Sequence, residues 1–203
     1  MAKENKSRYA ILGMLALEPA SGYQIKKLME QSTSNFWSES YGQIYPILKQ
    51  LTEEHLTTSH TEKQEGKPER NIYTLTELGK IKLVDWLGES VEEGQERIEI
   101  LLKLFFGQLV PAEKNIAHLR HFQDIQRRLL DKYQGIEAFL KDCIQEGDTL
   151  QIYALFTVRY GIHHCQALLA WCAETLEALQ SMVEESARGP EQSSRRGNNI
   201  VQK

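Results

Sequence analysis

A switch of hydrophobic period near residue 57 limits the folds open to this chain more than any other feature. Up to Leu56 the apolar residues recur at helical spacing in three short runs. From Thr57 the pattern becomes β-branched and alternating, passes through the turn cluster Glu65-Gly66-Lys67-Pro68, and resumes as a strand from Arg70 to Leu75. Helical spacing then returns at Glu77 and persists nearly to the end. Each of the first three runs is too short to bury its own apolar face, so all must share one core with the hairpin.

The ends of these runs are marked by local chemistry. The first spans Ser7 to Leu17 with Tyr9, Ile11, Leu12, Leu15 and Ala16 on its apolar side, and Glu18-Pro19 stops it because proline disfavours helical geometry in the residue before it. Ser21 and Gln24 form a capping box that opens a second helix, with Ile25, Leu28 and Met29 inward. Ser40 and Gln43 repeat the box for a third, whose stripe is Ile44, Ile47, Leu48 and Leu51. Thr76 caps a fourth, Glu77 to Leu87, which Gly88 closes. Helix, helix, helix, hairpin, helix is the winged helix-turn-helix order. The expected fold is mainly α with a small β-hairpin wing.

Beyond Val91 only helices are expected. Arg97 to Phe106 forms one, Gly107 to Pro111 breaks it, Ala112 to Glu146 forms a long one with a bend at Gly135, and Leu150 to about Glu185 another. In the last, Cys165, Leu168, Cys172, Leu176, Leu179 and Val183 recur at steps of three or four, close to a heptad seam, and Trp171 suits an interface anchor. A helix of that length cannot hide its apolar side within so small a domain, so a second copy is the expected cover. The organisation is then a winged helix over 1–90, a helical dimerisation and effector domain over 91–187, and a polar, Gly/Pro/Ser-containing tail over 188–203 expected to be disordered.

Charge gives no help in choosing a partner. Asp and Glu number 28 against 24 Lys and Arg, a formal net charge of −4, so nucleic-acid binding has to come from a local patch. The cysteines Cys143, Cys165 and Cys172 form no CxxC motif, and their odd number argues against a disulfide framework. Residues Met1 to Arg8 are polar, the apolar residues behind them belong to the first helix rather than to the h-region of a secretory signal, and no stretch approaches the length of a membrane span. A cytoplasmic protein with no membrane partner is expected.

The third helix carries the strongest functional signal. Ser40-Tyr41-Gly42-Gln43-Ile44-Tyr45-Pro46 is a poor helix start, since glycine costs about 1 kcal/mol relative to alanine and an interior proline about 3. A tip entering a DNA groove has a use for it. Gly42 admits the phosphate backbone, the helix N-terminus attracts phosphate oxygen, and Ser40, Tyr41, Gln43 and Tyr45 supply polar tips. Gln43 suits an adenine edge in the major groove. Tyr23, Lys26, Lys27 and Lys49 flank the same surface, while Lys63, Lys67 and Arg70 on the wing suit phosphate contact, diluted by Glu62, Glu65 and Glu69. The competing structural reading packs Tyr41 and Tyr45 inward and uses Gln43 only as a cap.

Ser21-Gly22-Tyr23-Gln24-Ile25, then Gln43-Ile44-Tyr45-Pro46 with Leu48 and Leu51, then Tyr73-Thr74-Leu75-Thr76 with Gly79, resemble the PadR family of bacterial transcription regulators. Leu101-Leu102-Lys103-Leu104-Phe105-Phe106 resembles the start of the helical C-terminal region of its larger, virulence-activator-like subgroup. The resemblance spans roughly residues 7–185 and is mostly helical pattern after Phe106. It implies a homodimer on double-stranded, palindromic operator DNA, usually a repressor, released in some members by a small molecule. Phe36-Trp37-Ser38 before the third helix is similar to the phenolic-acid-responsive repressors.

Candidates for the effector are Arg159, Tyr160, His163 and Trp171 along one helix, offering aromatic walls and a counter-charge for a carboxylate. His118 with His121, and His163-His164-Cys165, have metal-compatible spacing, but no four-ligand set is visible and neither metal nor cofactor is expected. No nucleophile elbow, P-loop or dinucleotide glycine pattern points to an enzyme. Alternative readings are a non-catalytic adaptor whose winged helix binds protein, and a metal-responsive regulator.

Overall fold

The computed structural model describes residues 5–34, 36–62, 69–92, 96–144 and 149–188. Lys63, Lys67, the wing's turn cluster and the tail beyond Arg188 lie outside the described residues. The chain divides into two compact units, Met1–Glu93 and Gly94–Lys203.

The first unit runs α1 (Ser7–Leu17), α2 (Gly22–Gln31), α3 (Tyr41–Glu53), β1 (Thr57–Glu62), β2 (Arg70–Leu75) and α4 (Glu77–Gly88). The fold is the winged helix-turn-helix that the change of period predicts. At Glu18 the backbone turns extended (φ −161°, ψ 152°), as the following proline requires. The strands pair antiparallel from Thr57↔Leu75 to Glu62↔Arg70. Ala20, in the turn between α1 and α2, exchanges both backbone hydrogen bonds with Tyr73 at 3.0 Å, which pins the root of the wing to the helices. Ile11, Leu12, Ile25, Met29, Ile44, Leu48 and Leu51 are wholly buried in one core. Trp86 of α4 stacks on Tyr9 of α1, with ring centroids 4.5 Å apart.

α3 ends in a reverse hydrogen-bonded turn. His55 takes the left-handed conformation (φ 61°), its N–H bonding Thr52 O at 3.1 Å while Leu56 N–H bonds Leu51 O at 2.9 Å. α4 starts on that turn. The Thr76 hydroxyl donates toward the carbonyls of His55 and Leu56 and accepts from Gly79 N–H at 3.0 Å. The start of α4 is thereby docked against the end of α3.

The second unit holds α5 (Glu99–Phe105), a 3-10 turn (Gly107–Leu109), α6 (Ala112–Cys143, 32 residues) and α7 (Thr149–Arg188, 40 residues). α6 passes unbroken through Gly135. The Asn115 amide donates to Gly107 O at 2.9 Å, locking the turn to α6. α6 and α7 pack antiparallel through two clusters: Tyr133 and Leu140 with Leu155, Val158, Ile162 and Cys165, and Leu119 with Ile100, Cys172 and Leu176. The Tyr133 ring packs against Gly161, where a Cβ would come within 2.8 Å of it.

This packing revises the expectation for the final helix. Cys165, Cys172 and Leu176 are buried against the chain's own helices, and Leu168, Trp171, Leu179 and Val183 are half-buried. α6 is long enough to cover the seam that the sequence assigned to a second copy. The exposed apolar residues of α7 are others: Tyr153, Phe156 and Tyr160 are 64%, 54% and 66% accessible. Spaced three and four apart, they share one side of the helix, away from Leu155, Val158 and Ile162. Among the described residues no helix is long and apolar enough to cross a membrane.

Candidate nucleic-acid interface

α3 is amphipathic in a way that leaves its N-terminal half outward. Ile44, Ile47, Leu48 and Leu51 anchor one side in the core, while Tyr41, Gly42, Gln43, Tyr45, Pro46 and Lys49 are exposed. Pro46 has no N–H to give Gly42 O, so that carbonyl lacks the i+4 donor a helix normally supplies. Tyr45 is 49% exposed with its ring resting on Gly22 of α2, where a Cβ would stand 2.7 Å from the ring. The glycine sets how closely the two helices cross.

Tyr23 at the start of α2 and Tyr41 at the start of α3 lie with parallel rings, centroids 6.2 Å apart, both exposed. The Tyr41 phenol is raised above its ordinary pKa, by desolvation first and then by Tyr23 and Glu30. It is a hydroxyl donor at neutral pH. Neither ring is in the core, so the inward-packing reading of Tyr41 and Tyr45 does not hold.

Gln43 carries a constraint on how it can read a base. Its Oε1 accepts from the backbone N–H of Ser40 at 3.0 Å and from the Ser40 hydroxyl at 2.9 Å. A two-point pairing with adenine needs Oε1 as acceptor and Nε2 as donor together. With Oε1 held in the cap, Gln43 offers only Nε2 unless the cap opens. The cap and the base edge compete for one atom.

Among the described residues, three of the cations expected to meet phosphate are paired within the chain. Lys26 lies 3.3 Å from Glu30, Lys49 lies 3.9 Å from Glu53, and Arg70 lies 2.6 Å from Glu62 across the strand register. Exposed pairs of this kind contribute about 0–1 kcal/mol each. A phosphate can therefore compete for these groups at small cost.

One residue of this region escaped the sequence reading. Glu39, immediately before Ser40, is 6% exposed. Its Oε1 accepts from the Ser7 hydroxyl of α1 and from Trp37 Nε1 at 3.1 Å, tying the loop ahead of α3 to the first helix. An acidic residue beside a serine reads as surface; the partner that buries it lies 32 positions away. Glu39→Ala leaves two donors unpaired and is expected to lower unfolding free energy by about 2 kcal/mol, measured by urea denaturation.

The expected effector residues are not gathered into one place. Arg159 is bonded to Glu137 of α6 at 3.0 Å, Tyr160 stacks on His164, and Trp171 packs edge-on against Phe122. Arg159 and Trp171 stand about 18 Å apart along α7 at 1.5 Å per residue. Among the described residues no three His, Cys, Asp or Glu side chains are grouped to hold a metal.

An outward helix tip backed by a core, flanked by a second helix and a two-stranded hairpin, defines a winged-helix protein of the DNA-binding type. Residues 11–85 match the model of the transcriptional regulator PadR-like family and residues 96–180 that of the virulence activator alpha C-terminal region, and the chain belongs to the PadR-like family of transcriptional regulators. It is 41% identical over 105 residues to the negative transcriptional regulator PadR of Bacillus subtilis (strain 168), a match covering 49% of this chain and only 55% of that protein. The structure of B. subtilis PadR in complex with operator DNA is similar with a TM-score of 0.78 at 27% identity, over 86% of this chain and 99% of that one. The same protein in complex with p-coumaric acid gives 0.72 at 25% identity, over 87% and 99%. The virulence activator AphA of Vibrio cholerae gives 0.69 at 28% identity, over 86% and 98%.

Proposed function

We propose that this chain is a cytoplasmic, homodimeric transcription regulator that binds double-stranded operator DNA, acting as a repressor released by a small phenolic effector. The observation that carries the DNA role is the exposed tip Tyr41–Pro46, held outward by four buried residues of its own helix. Ser40, Tyr41, Gly42, Gln43, Tyr45 and Pro46 enter the major groove, with Tyr23 beside them. Lys26, Lys49, Lys67 and Arg70 meet phosphates. The likeness to B. subtilis PadR, solved with operator DNA and with p-coumaric acid, supports both halves of the reading.

In this reading two copies join through α7, with Tyr153, Phe156 and Tyr160 meeting their equivalents in a partner. Phe139 of α6, near the same end of the α6–α7 pair, is likewise 66% exposed. A palindromic operator and a two-fold dimer then match in symmetry.

A mobility-shift assay with DNA from upstream of its own coding sequence tests the proposal. Binding is expected to weaken with salt along a log–log slope of about −4 to −8 per dimer, set by the phosphates neutralised. Salt-insensitive binding would contradict a phosphate-gripping wing and helix tip.

A further inference from the structure

The second unit contains a cleft apart from the DNA-binding surface, sharing Ile100 and Phe122 with the packing of α6 on α7. It has a volume of about 450 Å³, within the usual range for small-molecule sites, and lies between α5 and α6. Ile98, Ile100, Phe122 and Ile125 give it apolar walls. Its polar groups sit at the edges. Lys103 and Glu99 of α5 form a pair at 2.7 Å, and His118 and His121, one turn apart on α6, face the same space. The two histidines have metal-compatible spacing, but they occur here with one carboxylate already engaged by a lysine.

We infer that the α5–α6 cleft is a binding site for a small aromatic hydroxy acid. The inference rests on the regulator reading above and gives its effector a place other than Arg159, Tyr160, His163 and Trp171. The argument is one of matching chemistry. A flat ring fills the space between Phe122 and the isoleucines. A carboxylate needs donors or cations, and Lys103 with the two imidazoles provides them. A phenolic hydroxyl needs an acceptor, and Glu99 or a neutral imidazole provides that. The lining carries no net negative charge to repel an anion: the Glu99 carboxylate is offset by Lys103, which holds it below the usual carboxylate range by hydrogen bond and charge. A purely apolar ligand would leave the ammonium and imidazoles without return for the water they lose.

The site also has a built-in reporter and a short path to the rest of the chain. Phe122 packs edge-on against the Trp171 indole, centroids 6.2 Å apart, so a ring inserted at Phe122 changes the surroundings of that tryptophan. α5 is the first helix of its unit, so a ligand that moves α5 against α6 acts at the point where the chain leaves the winged helix.

Isothermal titration of the full chain with p-coumarate, followed in parallel by tryptophan fluorescence, tests the site. Two variants change it differently: Lys103→Met removes the cation, and Ile125→Trp fills the space. Expected results are p-coumarate binding to the wild type, at least tenfold weaker binding to Lys103→Met, at least tenfold weaker binding of p-coumarate methyl ester to the wild type, and loss of binding in Ile125→Trp. Unchanged p-coumarate affinity in both variants, equal affinity for acid and ester, or no binding to the wild type at millimolar p-coumarate would each overturn the inference. Operator affinity of the same three proteins without ligand separates the two readings. If all bind DNA alike while p-coumarate ignores the cleft, the site is wrong and the regulator stands; if none binds DNA, the regulator reading falls.

Discussion

Gly79→Ala is expected to lower the stability of the winged-helix unit by about 3 kcal/mol, near the upper end for forcing extra atoms into a packed site. A Cβ built at Gly79 would stand 2.1 Å from the carbonyl oxygen of Leu56 and 2.8 Å from a methyl of Leu75. The first of these is backbone and cannot rotate away. It is also engaged, accepting from Thr76 N–H at 3.1 Å and from the Thr76 hydroxyl at 3.0 Å. Relief requires lifting α4 from the end of α3, which breaks those bonds together. For a unit of this size 1 kcal/mol shifts the melting temperature by roughly 4–8 °C, so a fall of about 12–24 °C is expected by circular dichroism. Gly13→Ala is the control: a Cβ there meets nothing within 4 Å, and alanine in mid-helix is expected to add about 0.5–1 kcal/mol. Melting of Gly79→Ala within a degree or two of the wild type would show that α4 is not docked this way.

Phe156→Asp is expected to convert the protein to a monomer and to weaken operator binding by about 10²–10⁴-fold. The arithmetic follows from symmetry. An isologous interface presents each residue twice, so one substitution places two carboxylates in one apolar patch. Each aromatic side chain buries up to about 150–250 Å², and at about 25 cal/mol per Å² the stripe Tyr153–Phe156–Tyr160, in the proposed pairing with its copy, would supply several kcal/mol of association. Once the copies part, the second half-site is no longer delivered at high effective concentration, and that factor is lost from the affinity. Sedimentation velocity reads the oligomeric state and a mobility shift reads the affinity. Cys172→Ala is the informative companion, because Cys172 is wholly buried inside its own chain. It is expected to lower the melting temperature while leaving the folded protein dimeric. A dimeric Phe156→Asp with unaltered operator affinity would remove the α7 stripe from consideration.

The site was legible where its signals are local. Exposure of Tyr41 and Tyr45 and the outward tip of α3 follow from helical spacing around Ile44, Ile47, Leu48 and Leu51, and that of Tyr23 from the spacing of Ile25 and Met29 on α2. Spacing did not reveal that Gln43 Oε1 is held by Ser40, or that Lys26, Lys49 and Arg70 are paired with Glu30, Glu53 and Glu62. Arg70 and Glu62 meet only through the strand register, and Glu39 is buried only because α1 lies over it. Likewise His118 and His121 were visible as a pair, but the cleft they share with Ile98 and Lys103 exists only once α5 folds onto α6.

The order of elements, their caps and the change of period came from the sequence alone, because hydrogen bonds at i, i+3 and i, i+4 and the two periods of side-chain direction act within a few residues. Tertiary structure alone decided which surface covers which. A repeat such as Cys165, Cys172 and Leu176 states that a face must be buried, since apolar area leaves water whatever receives it, and the hydrophobic effect has no direction that would name the partner. Here the partner is α6 of the same chain, and the aromatic stripe on the other side of α7 stays exposed.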